Sequence, residues 1–258
     1  MIELAHLRHA LQSFATAAPF PHCVVDDFFR PDIAAQLAAE FPSYHDPRWF
    51  VYQNPLEDKK ALNDWNVFPT LTYRVFQTLN SPAFITELAA IFSCVLHADS
   101  GLHGGGWHIH ASGGNLNPHL DYSIHPKLGL QRKLNLIIYL APDLQAKHGG
   151  HLGLWQHDAV ANGPGTLAHE IAPRFNRAVL FDTTQNAWHG MSRPLVCPPT
   201  VFRKSLAVYY LCQPTEDAPQ RGRALYAARE NQKHDPHIAE LIARRADIAA
   251  SSQVYRSA

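Results

Sequence analysis

Three side chains in this sequence are of the kind that binds metal, and their spacing says how they could meet. His119 and Asp121 stand two apart in the stretch NPHLDYSIHPKLGLQRKLNLIIYL, residues 117–140. On an extended backbone residues i and i+2 point to the same side, so an imidazole and a carboxylate face one point. The best third ligand is His189, in NAWHGM, 70 residues after His119. Two neutral imidazoles and one carboxylate on one face of a metal leave positions open. A mixed nitrogen and oxygen donor set suits Fe(II), and the open positions admit a co-substrate and O2 together. Arg203 and Ser205 in RKS are also two apart, 14 residues beyond His189. An arginine fork beside a hydroxyl, on one face of a strand, is a receptor for a carboxylate.

Strands must hold these groups, and strand signals begin near residue 100. GLHGGG, residues 101–106, is a turn cluster. Short runs with period-two alternation follow, separated by Pro, Gly, Asn and Asp. In KLNLIIYL, Leu134, Leu136, Ile138 and Leu140 share one face, and Asn135, Ile137 and Tyr139 share the other. HLGLW, RAVLF and RKSLAVYYL are further strand candidates. Short strands in series suggest a β-sandwich or jelly roll. The first hundred residues read mostly helical. The N-terminus has the pattern of an amphipathic helix ending before Pro19. Arg30 to Pro42 carries helical spacing, with Pro31 at its start and Pro42 as a stop. Ser81 to Phe92 begins with a serine cap followed by Pro82. Trp49 to Pro69 mixes aromatic and charged residues without a clean period and reads as loop with a short helix. After Gln213 the chain turns polar and helical, most clearly in DPHIAELIARRADIAA.

Composition bounds the partners. The chain has 258 residues, 46% hydrophobic and 17% charged, with formal net charge zero. That balance suits a globular fold with one large domain or a domain with an appendage. Zero net charge implies no strong pull toward nucleic acid or acidic lipid. No apolar run nears the roughly 18 residues of a membrane span, and the N-terminus lacks a signal-peptide core. Cysteines at 23, 94, 197 and 212 form no CxxC pair. They require neither zinc nor disulfides, so a reducing cytoplasm is the expected location.

Taken in order, these motifs resemble the Fe(II)/2-oxoglutarate-dependent dioxygenases, nearest the prolyl-hydroxylase-like branch, from Gly104 to Leu211. His119-Leu120-Asp121 is similar to the HxD pair. LNLIIYL resembles the strand that follows it, with Tyr139 where a hydroxyl commonly helps hold the 2-oxoglutarate tail. HGGHLGLW, residues 148–155, resembles the glycine pair before the next strand. IAPRFNRAVLFDTTQNAWHGM, residues 171–191, resembles the strand leading to the distal histidine, and RKSLAVYYL the closing strand with its R-x-S clamp. Prolyl hydroxylases often place a tyrosine on the strand before HxD. Here that strand reads WHIHASGGNL, with His110 at the equivalent place.

The resemblance implies a mainly β (α+β) fold with a double-stranded β-helix, or jelly-roll, core over residues 101–213. An N-terminal helical and loop region, residues 1–100, would pack on it, and residues 214–258 would form a C-terminal helical extension. Fe(II) would be held by His119, Asp121 and His189. The co-substrate 2-oxoglutarate would contact Arg203, Ser205, Tyr139, Asn135 and His110. With O2, such a site hydroxylates an unactivated C–H bond and releases succinate and CO2. The alternative is a cupin-like jelly-roll metalloprotein, an isomerase or sensor without oxidative activity, which has no need of the Arg203/Ser205 clamp.

The substrate is not written in these motifs. A small polar molecule and a peptidyl residue fit equally. Segments able to cover the metal are Trp49 to Pro69, a candidate lid, Tyr122 to Gln131, and the C-terminal helices. Within and beside them Lys59, Lys60, Trp65 and Arg132 are candidate substrate contacts. His125 reads as a turn residue beside Pro126, His148 and His151 as solvent-facing, Trp188 as packing, and Gly149 and Gly150 as a turn.

Overall fold

The computed structural model describes residues 1–90, 92, 94–250 and 254. Chain order runs α1 (Leu4–Leu11), β1 (His22–Val25), α2 (Pro31–Ala39), β2 (Phe50–Asn54), β3 (Glu57–Leu62), α3 (Thr70–Leu79) and α4 (Pro82–Ala89). Then come β4 (His97–Ala98), β5 (Gly106–His110), β6 (Asn115–Leu116), β7 (His119–Leu120), β8 (Gln131–Tyr139), β9 (Leu152–Asp158) and β10 (Gly163–Ile171). Last are β11 (Ala178–Asp182), β12 (His189–Met191), β13 (Arg203–Cys212), β14 (Leu225–Tyr226) and α5 (Pro236–Ala246).

Two helices, α4 and α5, start at side-chain caps. Ser81 Oγ accepts the Phe84 N–H and Pro82 supplies the first residue of α4. Asp235 caps α5 in the same way, ahead of Pro236. Ile91, inside the helix expected to reach Phe92, lies outside the described residues, as do 251–253 and 255–258 of the expected C-terminal unit.

The strands form two curled antiparallel sheets, as a jelly roll requires. The larger runs β1-β11-β8-β13-β5-β3-β2, with β4 beside β13 and β6 beside β3. The smaller runs β10-β9-β12-β7-β14. Alternation along β8 and β13 divides the protein into layers. Leu134, Leu136, Ile138, Leu206, Val208 and Tyr210 meet Leu37, Phe76, Leu79, Phe84 and Leu88 of the helices in the main core. The opposite face of β8, with Tyr139, packs with Val179 and Phe181 against Leu152 and Leu154 of the smaller sheet. The polar groups of the candidate site lie on this inner face. Among the described residues no helix is long and apolar enough to cross a membrane.

Two regions differ from the sequence-based expectation. Trp49 to Pro69 is a β-hairpin, β2 and β3, ending in a short turn of helix at Trp65–Val67. β3 pairs with β5 through Lys60–Leu62, so the segment is part of the sheet rather than a loose lid. Its strand pattern is hidden because EDKKAL turns Lys59 toward a polar cavity and buries Glu57 among Arg245 and Tyr226 rather than in an apolar core. The C-terminal region also supplies more than helix: β14 pairs with β7 beside His119.

Candidate active site

His119 opens β7, His189 opens β12, and the two are paired directly across the ladder. Their ring centroids lie 4.3 Å apart. Asp121 follows β7, its carboxylate oxygens 3.8 Å from Nε2 of each histidine. The three donor atoms lie within 4.8 Å of one another and all three side chains are buried. Both rings are fixed from behind. The Nδ1–H of His119 donates to Asn117 O and that of His189 to Ala187 O, each at 2.9 Å. A carbonyl can only accept, so each Nε2 is left as a lone pair aimed into the gap. Gly190 permits this close pairing: a Cβ there would stand 2.5 Å from Asn117 O.

The electrostatics suit a cation. Burial, with a further push from His189, lowers the pKa of His119 to about 3, and burial lowers that of His189 too. Both rings are therefore neutral, the ligating form. Burial alone would raise Asp121, but Arg132, His189 and His119 outweigh it and bring it down to about 2. Arg132, a candidate substrate contact in the sequence, is buried beside Asp121. Its guanidinium is sandwiched 3.5 and 3.4 Å from the ring centroids of Tyr122 and Tyr209. Nη2 donates to His103 O at 2.8 Å, and Nη1 lies 3.3 Å from Asp121 Oδ1. A register shift between Tyr210 and Leu211 breaks the alternation of β8 here and lets Arg132 join Asn135 on the inner face. Asn135 donates to Asp121 Oδ2 at 3.3 Å.

A second cluster lies beside the first. Arg203 is 5% exposed, donates Nε to Gly150 O at 2.8 Å and approaches the Tyr139 hydroxyl with Nη2 at 3.3 Å. Gly149 and Gly150 adopt φ of 78° and 67°, and a Cβ on Gly150 would crowd Arg203 at 3.1 Å. The glycine pair thus shapes the seat of the arginine as well as the turn. Ser205 is paired with Tyr139 on one side and His108 on the other, and Arg203 is paired with His110. Both His110 ring nitrogens are buried without a partner, as is Asn135 Oδ1. No ion pair with a carboxylate forms at Arg203 among the described residues, and burial lowers its pKa. A buried guanidinium without an anion is costly, so this cluster fits the carboxylate of a bound ligand.

The outer wall holds Lys59, Arg223, Arg245, Tyr52 and Tyr226. The Tyr226 ring stacks on His119 at 5.1 Å. Arg229 anchors this C-terminal wall: it donates to Asn115 Oδ1, Asn117 Oδ1 and Met191 O at 2.6, 3.0 and 2.8 Å.

Among the sequence-based candidates, His119, Asp121, His189, Arg132, Asn135, His110, Arg203, Ser205 and Lys59 line one cavity, with Tyr139 reaching Arg203 from its edge. Lys60 and Trp65 do not. Lys60 is one residue out of phase with Lys59; its Nζ donates to Tyr44 O at 2.8 Å on the helix side. Trp65 donates to Ser100 O at 2.9 Å and packs on Phe68, Tyr73 and Phe76. His125 holds its own turn through Nδ1, accepting from Lys127 N and Leu128 N. His151 is buried, not solvent-facing. His108 and Tyr209 were overlooked although both follow by period two, from His110 and from Arg203 and Ser205. Arg223, Arg245 and Tyr226 carry no local signal, since the pairing of β14 with β7 brings them here.

Comparison with known proteins agrees with this geometry. Residues 105–212 match the model of the 2OG-Fe(II) oxygenase superfamily. No curated protein matches the sequence. Among solved structures, a Pseudomonas putida prolyl-4-hydroxylase is similar with a TM-score of 0.57 and 14% identity, over 81% of this chain and 100% of that one. A Trichoplax adhaerens prolyl hydroxylase, in complex with a hypoxia inducible factor peptide, gives 0.57 and 14% over 81% and 91%. HygX of Streptomyces hygroscopicus, with nickel, 2-oxoglutarate and hygromycin B bound, gives 0.53 and 16% over 80% and 87%. At these identities the structural likeness is one of fold. The family match and the fold together carry the conclusion: residues 105–212 match the 2OG-Fe(II) oxygenase superfamily, an oxygenase core that uses iron and 2-oxoglutarate, and the chain has the fold of prolyl hydroxylases.

Proposed function

We propose that this enzyme hydroxylates an unactivated C–H bond of a small polar molecule or a peptidyl side chain, with His119, Asp121 and His189 holding Fe(II). The observation that carries the reading is the pair of adjacent clusters: a buried neutral-histidine and carboxylate triad, and a buried arginine with no carboxylate partner among the described residues. The chemistry that metal and co-substrate supply when bound is oxidation of a C–H bond by O2, with 2-oxoglutarate leaving as succinate and CO2.

The chain's own residues position and shield. Asn117 O and Ala187 O fix the tautomers of the two histidines. Arg132 and Asn135 keep Asp121 ionised and oriented. Arg203, with Ser205, Tyr139 and His110 around it, receives the far carboxylate of 2-oxoglutarate. Ile137, Leu152 and Met191 make the apolar parts of the wall and exclude water. A cupin-like isomerase or sensor has no use for the Arg203 cluster, which weighs against that alternative. The solved neighbours carry a peptide in one case and hygromycin B in another, in keeping with either substrate class. Four unbridged cysteines suit the reducing cytoplasm in which we place the protein.

The test is succinate production from 2-oxoglutarate by Fe(II)-loaded protein. The reading expects slow succinate release without substrate, faster release with it, and a product heavier by one oxygen atom. Metal binding with no consumption of 2-oxoglutarate under any substrate would return the protein to the cupin-like alternative.

A further inference from the structure

We propose that the substrate carries an oxyanion, a phosphate or carboxylate group, received at the outer wall of the cavity by Lys59, Arg223 and Arg245. The inference rests on the iron and 2-oxoglutarate reading above and names the substrate class of the same site.

Three cations converge there from three separate parts of the chain: Lys59 from β3, Arg223 from the segment before β14, and Arg245 from α5. They are not ordinary solvated surface charges. The side chains of Lys59 and Arg245 are 15% and 12% exposed. Among the described residues one carboxylate serves the group. Glu57 Oε1 accepts from Arg245 Nε at 3.0 Å, and Oε2 lies 3.5 Å from Lys59 Nζ while also accepting the Tyr226 hydroxyl at 2.8 Å. Arg223 has no ion pair among the described residues, and its Nε is buried without a hydrogen-bond partner. Tyr52, on the same wall, feels both Arg223 and Arg245.

Charge balance then favours an anion. The inner charges are matched without this group: Arg203 by the far carboxylate of the co-substrate, Arg132 by Asp121 with Asp99 behind it, and the metal by Asp121 and the near carboxylate. Histidines 103 and 108 add nothing, because burial brings their pKa values down to about 4 and about 3. At the wall, among the described residues, three cations face the carboxylate of Glu57, and Arg223 has no ion pair there. A surplus positive field in a poorly solvated cavity is relieved by an oxyanion, and arginine forks with a lysine match the geometry of phosphate or carboxylate. A cationic substrate would be repelled, which makes the wall a selectivity device as well as a receptor.

The test uses full-length protein loaded with Co(II) and saturated with 2-oxoglutarate, so that the metal and Arg203 are occupied. Inorganic phosphate and acetate are the probes, followed by equilibrium dialysis. Saturable binding of one or both is expected, weakened by about 10- to 100-fold in Arg223→Ala, the range for losing a charge-assisted hydrogen bond, and largely kept in Arg223→Lys. Arg223 forms no ion pair among the described residues, so its truncation leaves no carboxylate orphaned among them. No saturable binding, or equal binding by wild type and Arg223→Ala, overturns the proposal. Co(II) and 2-oxoglutarate binding are read in the same samples. Their failure overturns the underlying reading and this proposal with it; their success without probe binding overturns this proposal alone. A second arm compares matched phosphorylated, carboxylated and neutral forms of sugars and amino acids for stimulated succinate release. Stimulation by an anionic member supports the proposal, and which anion wins identifies the group. Equal stimulation by the neutral member overturns it.

Discussion

The floor and the wall of the cavity are built by different means. The floor comes from β5, β8 and β13, neighbours in one sheet, where every second residue faces inward: His108 and His110, Asn135 and Ile137, Arg203 and Ser205. A slip of one residue would exchange Arg203 and Ser205 for Lys204 and Leu206, so the apolar face of the same strands fixes the register of the polar one. The wall comes from β3 and, far along the chain, from β14 and α5, which meet β3 only through tertiary docking. Its supports are single polar residues, Glu57 and Arg229, rather than a shared ladder. The difference teaches where function can vary. Floor changes should strike co-substrate or metal, whereas changes at the wall cations Lys59, Arg223 and Arg245 should alter the response to substrate; Arg229, which ties the wall to Asn117, should touch both.

The largest effect is expected at the triad. Asp121→Ala should lower Co(II) affinity by more than about a hundredfold, beyond the usual loss on removing a supporting residue, and abolish succinate formation. Dialysis of metal-loaded protein checks it. Retained metal binding would break the assignment of the triad.

Acid should damage the floor next. His108 has its pKa lowered by burial to about 3. The unfolded chain then binds more protons than the folded one between the ordinary histidine value and pH about 3, so stability falls as pH falls. The slope is about 1.4 kcal/mol per pH unit for this group. His108→Gln should flatten the fall in Tm of metal-free protein between pH 6 and 4. An unchanged slope would mean that His108 does not carry the effect.

Arg229→Ala should cost about 2–4 kcal/mol by leaving the Asn115, Asn117 and Met191 acceptors unpaired. Because Asn117 O orients His119, metal affinity should drop as well, in contrast to changes at Arg223. Thermal unfolding and Co(II) titration of both variants read the contrast. The smallest effect belongs to Lys60→Ala. It removes a cation 3.8 Å over the Tyr44 ring, worth about 1 kcal/mol or less, and should leave succinate formation with and without substrate unchanged. A selective loss of substrate-stimulated turnover would put Lys60 back at the site.

How much was legible in the sequence follows the same division. HxD and RxS are period-two patterns, and KLNLIIYL announces both its faces, so the floor can be read from local spacing. Arg132 is the exception there, because a register shift opposite Lys133 changes its direction. The hairpin of β2 and β3 went unread since its inward residues are Glu57 and Lys59, whose charge disguises the alternation. Once the strand is missed, Lys59 and Lys60 cannot be told apart. Arg223, Tyr226 and Arg245 depend on β14 meeting β7, a pairing across more than 100 residues that no local pattern encodes.

The central claim is that a metal triad and an arginine seat divide the work of holding one co-substrate. Titrating 2-oxoglutarate into Co(II)-loaded wild type and Arg203→Ala protein tests it most directly. Loss of one partner of a buried charge pair costs on the order of 3–5 kcal/mol, so the 2-oxoglutarate dissociation constant should rise by about 10²- to 10⁴-fold while Co(II) affinity stays near that of wild type. Equal 2-oxoglutarate affinity in the two proteins would contradict the account.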